Sequence, residues 1–163
     1  MTLGSKEAKL TVDLEKLRNY SLFGGIPAKT IQLLREQMRE VQFKADETIF
    51  KAGSDGDEIC FILEGSVTIL AHDEVLAEFG EGEQFGEMHI IDIMPRSADV
   101  VGKTKGRFLA MNFQNMLQLR TQDPDAFTML MMNCARDVSR RLRHMNDNYL
   151  ALLARYREAI KPS

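Results

Sequence analysis

The stretch GSDGDEICFILEGSVTIL, residues 53–70, decides the fold. Gly53-Ser54-Asp55-Gly56-Asp57 forms a loop able to supply the positive φ angles that only glycine adopts cheaply. Ile59 to Leu63 is a short apolar run, Glu64-Gly65-Ser66 is a turn, and Val67 to Leu70 starts a second run. The same rhythm extends outward in both directions. Thr48-Ile49-Phe50 precedes the loop, and Val75 to Phe79 follows and ends in Gly80-Glu81-Gly82-Glu83. Further strands are predicted over Ala98 to Val101 and Arg107 to Met111, with Gly102 to Gly106 between them. Short strands at this spacing predict an antiparallel β-roll or jelly roll over residues 41–111.

Both flanks read as helical. Within residues 1–40, Leu10, Leu14 and Leu17 repeat at helix spacing, and Ser21 to Pro27 interrupts them with Gly24 and Gly25. Pro27 suits the first turn of a second helix that carries Ile31, Leu34 and Met38 on one face. Residues 112–160 hold a short helix over Asn112 to Leu119, a stop near Asp123-Pro124, and a long helix over about 124–160 with no internal glycine or proline. At 1.5 Å per residue that helix extends roughly 50 Å, beyond the width of the roll. The expected class is α+β: N-terminal helices, one β-roll, and a long C-terminal helix.

Composition narrows the function. The chain has 163 residues, 44 % of them apolar and 28 % charged, which suits one soluble domain. Lys plus Arg is 21 against 24 Asp plus Glu, and a net charge of −3 argues against nucleic-acid binding through bulk charge. There is no apolar run of about 18 residues and no apolar signal core between Met1 and Tyr20, so neither a membrane span nor secretion is expected, and the cytoplasm is the expected compartment. Cys60 and Cys134 stand far apart and are read as free thiols. His72, His89 and His144 have no ligand spacing, so no metal site is expected.

One stretch breaks the β pattern: QFGEMHIIDIMPRSA, residues 84–98. Gly86 permits close backbone approach, and Glu87 to Ile91 can form a helical turn or two. Arg96 offers a two-point fork for phosphate oxygens, Ser97 a hydroxyl donor, and Glu87 an acceptor for a sugar hydroxyl. Together they describe a site for a small ligand with one anionic phosphate and one free ribose hydroxyl.

Phe85-Gly86-Glu87 followed by Pro95-Arg96-Ser97-Ala98 resembles the phosphate-binding cassette of the cyclic nucleotide-binding domain family, of the catabolite-activator-like sensor type. Gly53, Gly56, Asp57 and Gly65 fall where that family keeps its glycine-rich roll turns, and the likeness runs from about residue 20 to about residue 150. The resemblance implies a ligand-binding cassette over residues 85–98, with Phe85 and Met88 flanking the contacts. By that resemblance Glu87 accepts the ribose 2′-hydroxyl, Arg96 pairs with the cyclic phosphate, and Ser97 with the N–H groups of Gly86, Glu87 and Ala98 completes the cradle. Serine at position 97 leans toward cyclic AMP over cyclic GMP, since threonine there accompanies cyclic GMP in the family. His89 and Asp99 depart from the family pattern. A carboxylate at 99 would oppose a phosphate if it faced the pocket, and strand alternation also allows it to face away.

Along the long helix, Met131, Ala135, Val138, Leu142, Met145, Tyr149, Leu152, Tyr156 and Ala159 recur at steps of four and three, the seam of a two-stranded coiled coil. A parallel homodimer is expected. By likeness to dimeric sensors the middle of this helix caps the purine, and Asn146 is the candidate for the base edge. Arg140, Arg141 and Arg143, with Asp137 and Asp147 nearby, read as a solvated face. The expected function is a cyclic nucleotide receptor with no catalysis and no cofactor, signalling through its long helix. Its downstream partner would be another protein, because no helix-turn-helix unit for DNA follows that helix before Ser163. The chain is then either a single-domain receptor or part of a longer regulator, channel or kinase. The competing expectation is a ligand-free dimerisation or docking module on the same fold.

Overall fold

The computed structural model describes residues 14–160; Leu10 lies outside them. Two short helices come first, α1 (Leu14–Arg18) and α2 (Ala28–Glu36), with a 3-10 turn over Ser21–Phe23 between them. Six strands follow: β1 (Arg39–Phe43), β2 (Thr48–Phe50), β3 (Glu58–Glu64), β4 (Val67–Ala71), β5 (Glu74–Phe79) and β6 (Gln84–Phe85). The chain then makes α3 (Met88–Asp92), β7 (Asp99–Gly102), β8 (Gly106–Asn112), α4 (Phe113–Gln122) and α5 (Pro124–Ala159). This is the expected α+β architecture, an antiparallel β-roll between N-terminal helices and a long C-terminal helix. Several edges differ from the sequence reading: β1 begins at Arg39, ahead of residue 41, β7 is shifted by one residue to Asp99–Gly102, and α4 runs on to Gln122. Helix α2 stops at Glu36, so Met38 is buried from a turn rather than from a helix face, and Pro27 sits just outside the first turn as its cap.

The strands form two antiparallel sheets, ordered β1-β8-β3-β6 and β2-β7-β4-β5. The first sheet is the common wall of two cores, and β3 shows how. In strand geometry successive side chains point to opposite faces. Cys60 and Ile62 therefore face the second sheet with Phe43, Val67, Phe85, Val100 and Phe108. Ile59, Phe61 and Leu63 face the helices with Leu17, Phe23, Ile31, Met116 and Leu130. Burial on both faces explains why EICFILE reads as an unbroken apolar run instead of an alternation. Each fully buried Phe, Ile or Leu contributes about 1.5–3 kcal/mol relative to exposure.

The N-terminal turn is fastened to this wall. Tyr20 meets Phe61 edge-on at 5.5 Å, Phe23 packs on the same ring at 5.0 Å, and the Tyr20 hydroxyl donates to the Ile62 carbonyl. Burial pushes the Tyr20 phenol up to about 12. Asp123 ties the C-terminal helices in: its Oδ1 accepts from Ala126 N at 3.1 Å and caps α5, while its Oδ2 accepts from Thr30 Oγ1 of α2 at 2.8 Å. Helix α5 spans 36 residues, about 54 Å at the standard rise.

Candidate functional site

Residues 84–98 leave the β-roll at β6, turn through α3 and return at β7. Gly86 makes the first bend with φ +87°. A Cβ there would lie 2.7 Å from the Glu58 carbonyl oxygen and 2.8 Å from Arg96 Nη1, so no larger residue fits without displacing both. At the far end of α3, Ile93 caps the helix in the left-handed region at φ +56°, with its N–H donating to the His89 carbonyl at 2.9 Å. A β-branched residue is strained there, by about 1–3 kcal/mol. The bend is held by Asp92, whose Oδ1 accepts from Met94 N at 3.0 Å, and by a contact of His89 Nδ1 with the Met94 carbonyl oxygen.

This path delivers Arg96 back beside Gly86. Arg96 is 7 % exposed and is held by groups on every side. Its Nη1 donates to the Gly86 carbonyl at 3.0 Å, its Nη2 to the Glu58 carbonyl at 3.0 Å, and its guanidinium carbon lies 3.7 Å above the centre of the Phe50 ring. Phe85 does not line an open surface. It is buried in the roll and packs edge-on against Phe50 at 5.3 Å and Phe108 at 5.6 Å, so it supports the arginine through Phe50. Burial lowers the Arg96 pKa, partly opposed by nearby acidic groups that include Glu87, and a guanidinium remains a cation throughout. Two of its five N–H donors are engaged by the carbonyls, which leaves donors for an anion.

Glu87 stands 2 % exposed. Its Oε1 accepts from Arg141 Nη1 of α5 at 2.5 Å, and its Oε2 is buried with no hydrogen-bond partner. A buried acceptor without a donor is costly, by about 1–3 kcal/mol, and it fits a hydroxyl supplied from outside the chain. Met88 and Ser97 lie at the exposed rim, with Ser97 Oγ 3.9 Å from Met88 Sδ, and Ala98 is half-buried beside them.

Residues 40–123, which include this buried carboxylate and the caged arginine, match the cyclic nucleotide-binding domain family. The chain belongs to that family. Among the curated proteins it is similar to a "CRP-like cAMP-activated global transcriptional regulator" of Mycobacterium tuberculosis, 28 % identical over 144 residues. That match covers 85 % of this chain and 62 % of the regulator, so the chain spans less than two-thirds of that relative's length. A cyclic nucleotide-binding domain from Methylobacillus flagellatus KT superposes with a TM-score of 0.75 at 26 % identity, over 85 % of this chain and 80 % of that one. The Thermus thermophilus catabolite activator protein gives 0.68 at 29 % identity, over 82 % of this chain and 63 % of that one.

In this cyclic nucleotide-binding domain the contribution of α5 differs from the sequence reading. Asp137 and Arg141 do not belong to a solvated face. Asp137 is 4 % exposed, and its carboxylate accepts from Ser21 Oγ at 2.6 Å, from Gln84 Nε2 at 2.5 Å and from Arg140 Nη2. Arg141, one turn further on, donates from Nη2 to the Gln84 carbonyl at 2.6 Å as well as to Glu87, and its guanidinium lies over the Phe79 ring at 4.4 Å. Gln84 is thus gripped by its side chain and by its main chain from successive turns of one helix. A sequence signal for this existed. Ala126, Leu130, Asn133, Cys134 and Asp137 form the buried stripe of α5, and the next step of four lands on Arg141.

Asn146 is exposed and lies away from this grip. Five residues beyond Arg141, it is about 7.5 Å further along the axis and about 140° around it, so it faces away from the cassette of its own chain. Asp99 also faces away from the pocket. Its Oδ1 accepts from Ala52 N at 2.6 Å and its Oδ2 lies 3.4 Å from Lys51 Nζ, and these contacts hold the carboxyl below its usual range. Among the described residues no three His, Cys, Asp or Glu side chains cluster to hold a metal ion, and no helix is long and apolar enough to cross a membrane.

Proposed function

We propose that the chain is a receptor for a cyclic nucleotide, with cyclic AMP preferred over cyclic GMP, and that it performs no catalysis. The observation that carries this reading is Glu87: buried, held on one oxygen by Arg141, and bare on the other. In the bound state Glu87 Oε2 accepts the ribose 2′-hydroxyl. Arg96 turns its remaining N–H groups to the cyclic phosphate, and Ser97 Oγ with the N–H groups of Gly86, Glu87 and Ala98 adds donors at the rim. Met88 frames these contacts at the rim, and Phe85 supports Arg96 from beneath through Phe50. Family membership supports the ligand class, and Ser97 supports the cyclic AMP preference.

The output leaves through α5, as a shift between helix–roll arrangements that the ligand favours unequally. Leu142, Met145, Tyr149, Leu152 and Tyr156 are all exposed along the far half of α5, and we assign them to a parallel homodimer seam. Arg141 directly precedes the seam residue Leu142, and Asn146 directly follows Met145, so the two flank the seam on opposite sides. In a parallel pair Asn146 of a second copy comes beside Arg141, and it reaches a purine in that copy's neighbour instead of its own. The downstream target is read as another protein and the compartment as the cytoplasm.

The exposed seam also favours a second reading, a ligand-free dimerisation or docking module. Titration calorimetry with cyclic AMP and cyclic GMP separates the two. The receptor reading expects saturable heat, tighter for cyclic AMP and abolished by Arg96→Ala. Absence of heat with both nucleotides leaves the docking module.

A further inference from the structure

Asp99 stands one residue beyond the cassette, at the start of β7, and its surroundings give it a use. The loop over residues 51–57 runs beside Arg96 and binds its main chain on both sides: Gly53 N donates to the Arg96 carbonyl at 2.8 Å, and Arg96 N donates to the Ser54 carbonyl at 2.9 Å. The loop also shapes the arginine's side chain. A Cβ on Gly56 would lie 2.2 Å from Arg96 Nε, so the guanidinium rests directly on the Gly56 backbone. Ser54 closes the loop on itself through Oγ, which donates to the Lys51 carbonyl at 2.6 Å.

At the entrance of the loop the Ala52 N–H donates to Asp99 Oδ1 at 2.6 Å. Asp99 opens β7, three residues after Arg96, so one short segment carries both the arginine and the anchor of the loop that holds it. We propose that Asp99 is a positioning residue of the nucleotide site: its carboxylate fixes the 51–57 loop, and through that loop it fixes the direction of Arg96. The inference rests on the receptor reading above and assigns a determinant of its affinity. The Lys51 contact adds little, because an exposed ion pair at 3.4 Å is screened by solvent. The hydrogen bond to the Ala52 N–H is the part that matters.

The test compares Asp99→Ala, Asp99→Asn and Lys51→Ala by calorimetry with cyclic AMP and by amide hydrogen exchange at Gly53 and Arg96. Asp99→Ala is expected to weaken binding about tenfold and to speed exchange at both amides, the size expected when one charge-assisted hydrogen bond is lost. Asp99→Asn keeps an oxygen for Ala52 and is expected to stay within about twofold, as is Lys51→Ala. Should the alanine variant fail to fold, Asp99→Val, which suits a strand start, is read the same way. Unchanged affinity in Asp99→Ala overturns the proposal. So does tighter binding in both Asp99 variants, the mark of a charge that merely repelled the phosphate, and so does equal weakening in both. If the wild-type chain binds neither nucleotide, the receptor reading fails. Exchange at Gly53 and Arg96 then still decides whether Asp99 braces the loop, with faster exchange in Asp99→Ala supporting it and unchanged exchange overturning it.

Discussion

The two halves of α5 have the same period and opposite surroundings. From Pro124 to Arg141 the inward stripe is covered, and its buried members include polar residues, Asn133 and Asp137, each committed to partners on other elements. From Leu142 onward a second stripe, turned about the axis from the first, is apolar and uncovered: Leu142, Met145, Tyr149, Leu152 and Tyr156 are each more than half exposed. A helix that only packed on its own roll would turn polar where it leaves that roll, instead of carrying an apolar stripe onward. The near half is built for specific attachment to the cassette, and the far half holds its apolar surface ready for something else.

Three experiments break or sharpen that contrast. The largest effect is expected at the far half. Leu142→Glu combined with Tyr149→Glu puts four charges into a two-stranded seam, and light scattering should fall from a dimeric to a monomeric mass. A wild-type chain that already scatters as a monomer at high concentration removes the seam. An intermediate effect is expected at the near half. Asp137→Ala strips the shared acceptor from Ser21, Gln84 and Arg140, and urea unfolding should register a loss of about 3 kcal/mol, the range for breaking a buried charged network. If the cost stays below about 0.5 kcal/mol, Asp137 sits on a surface that water reaches, as any exposed substitution would.

The smallest effect near neutral pH, and one that grows only in alkali, is a pH dependence. Burial pushes the Cys134 thiol from its ordinary 9.0 to about 12, with help from Glu87 and Asp137, and burial raises Cys60 as well. Above the ordinary thiol range the unfolded chain has released these protons while the folded chain keeps them, so unfolding becomes easier as pH rises. Stability should therefore decline from pH 9 toward 12, and Cys134→Ala should flatten part of that decline. Neither thiol should react with a disulfide reagent at pH 8 until the chain unfolds.

Much of this molecule was legible in its residues, for identifiable reasons. Glycines at 53, 65 and 86 adopt the positive φ that their turns demand, so the rhythm of the roll's strands and turns was legible from local backbone sterics. The pattern of α5 was legible too, but its rotation about its own axis was not. Arg140, Arg141 and Arg143 look alike in sequence, and each residue turns the helix by about 100°, so only the docking of α5 on β6 selects the one that meets Glu87. Asp137 was misread for the same reason: an aspartate among arginines suggests water, whereas Ser21 and Gln84 reach it from far along the chain. The direction of Asp99 was open until Ala52 N was placed beside it, because alternation along β7 fixes two faces and not what lies against each.

The grip on Gln84 has a mechanical consequence. A strand held to a helix at one point can slide or swivel while the helix stays still. Here an amide and a carbonyl of the same residue are fastened to consecutive turns, so the joint resists twisting as well as pulling. Glu87 is tied by Arg141 to the same helix, so any torque on this joint tends to roll the rod as a whole. At the rod's unsupported end that roll would reorient the aromatic rings of Tyr149 and Tyr156 together.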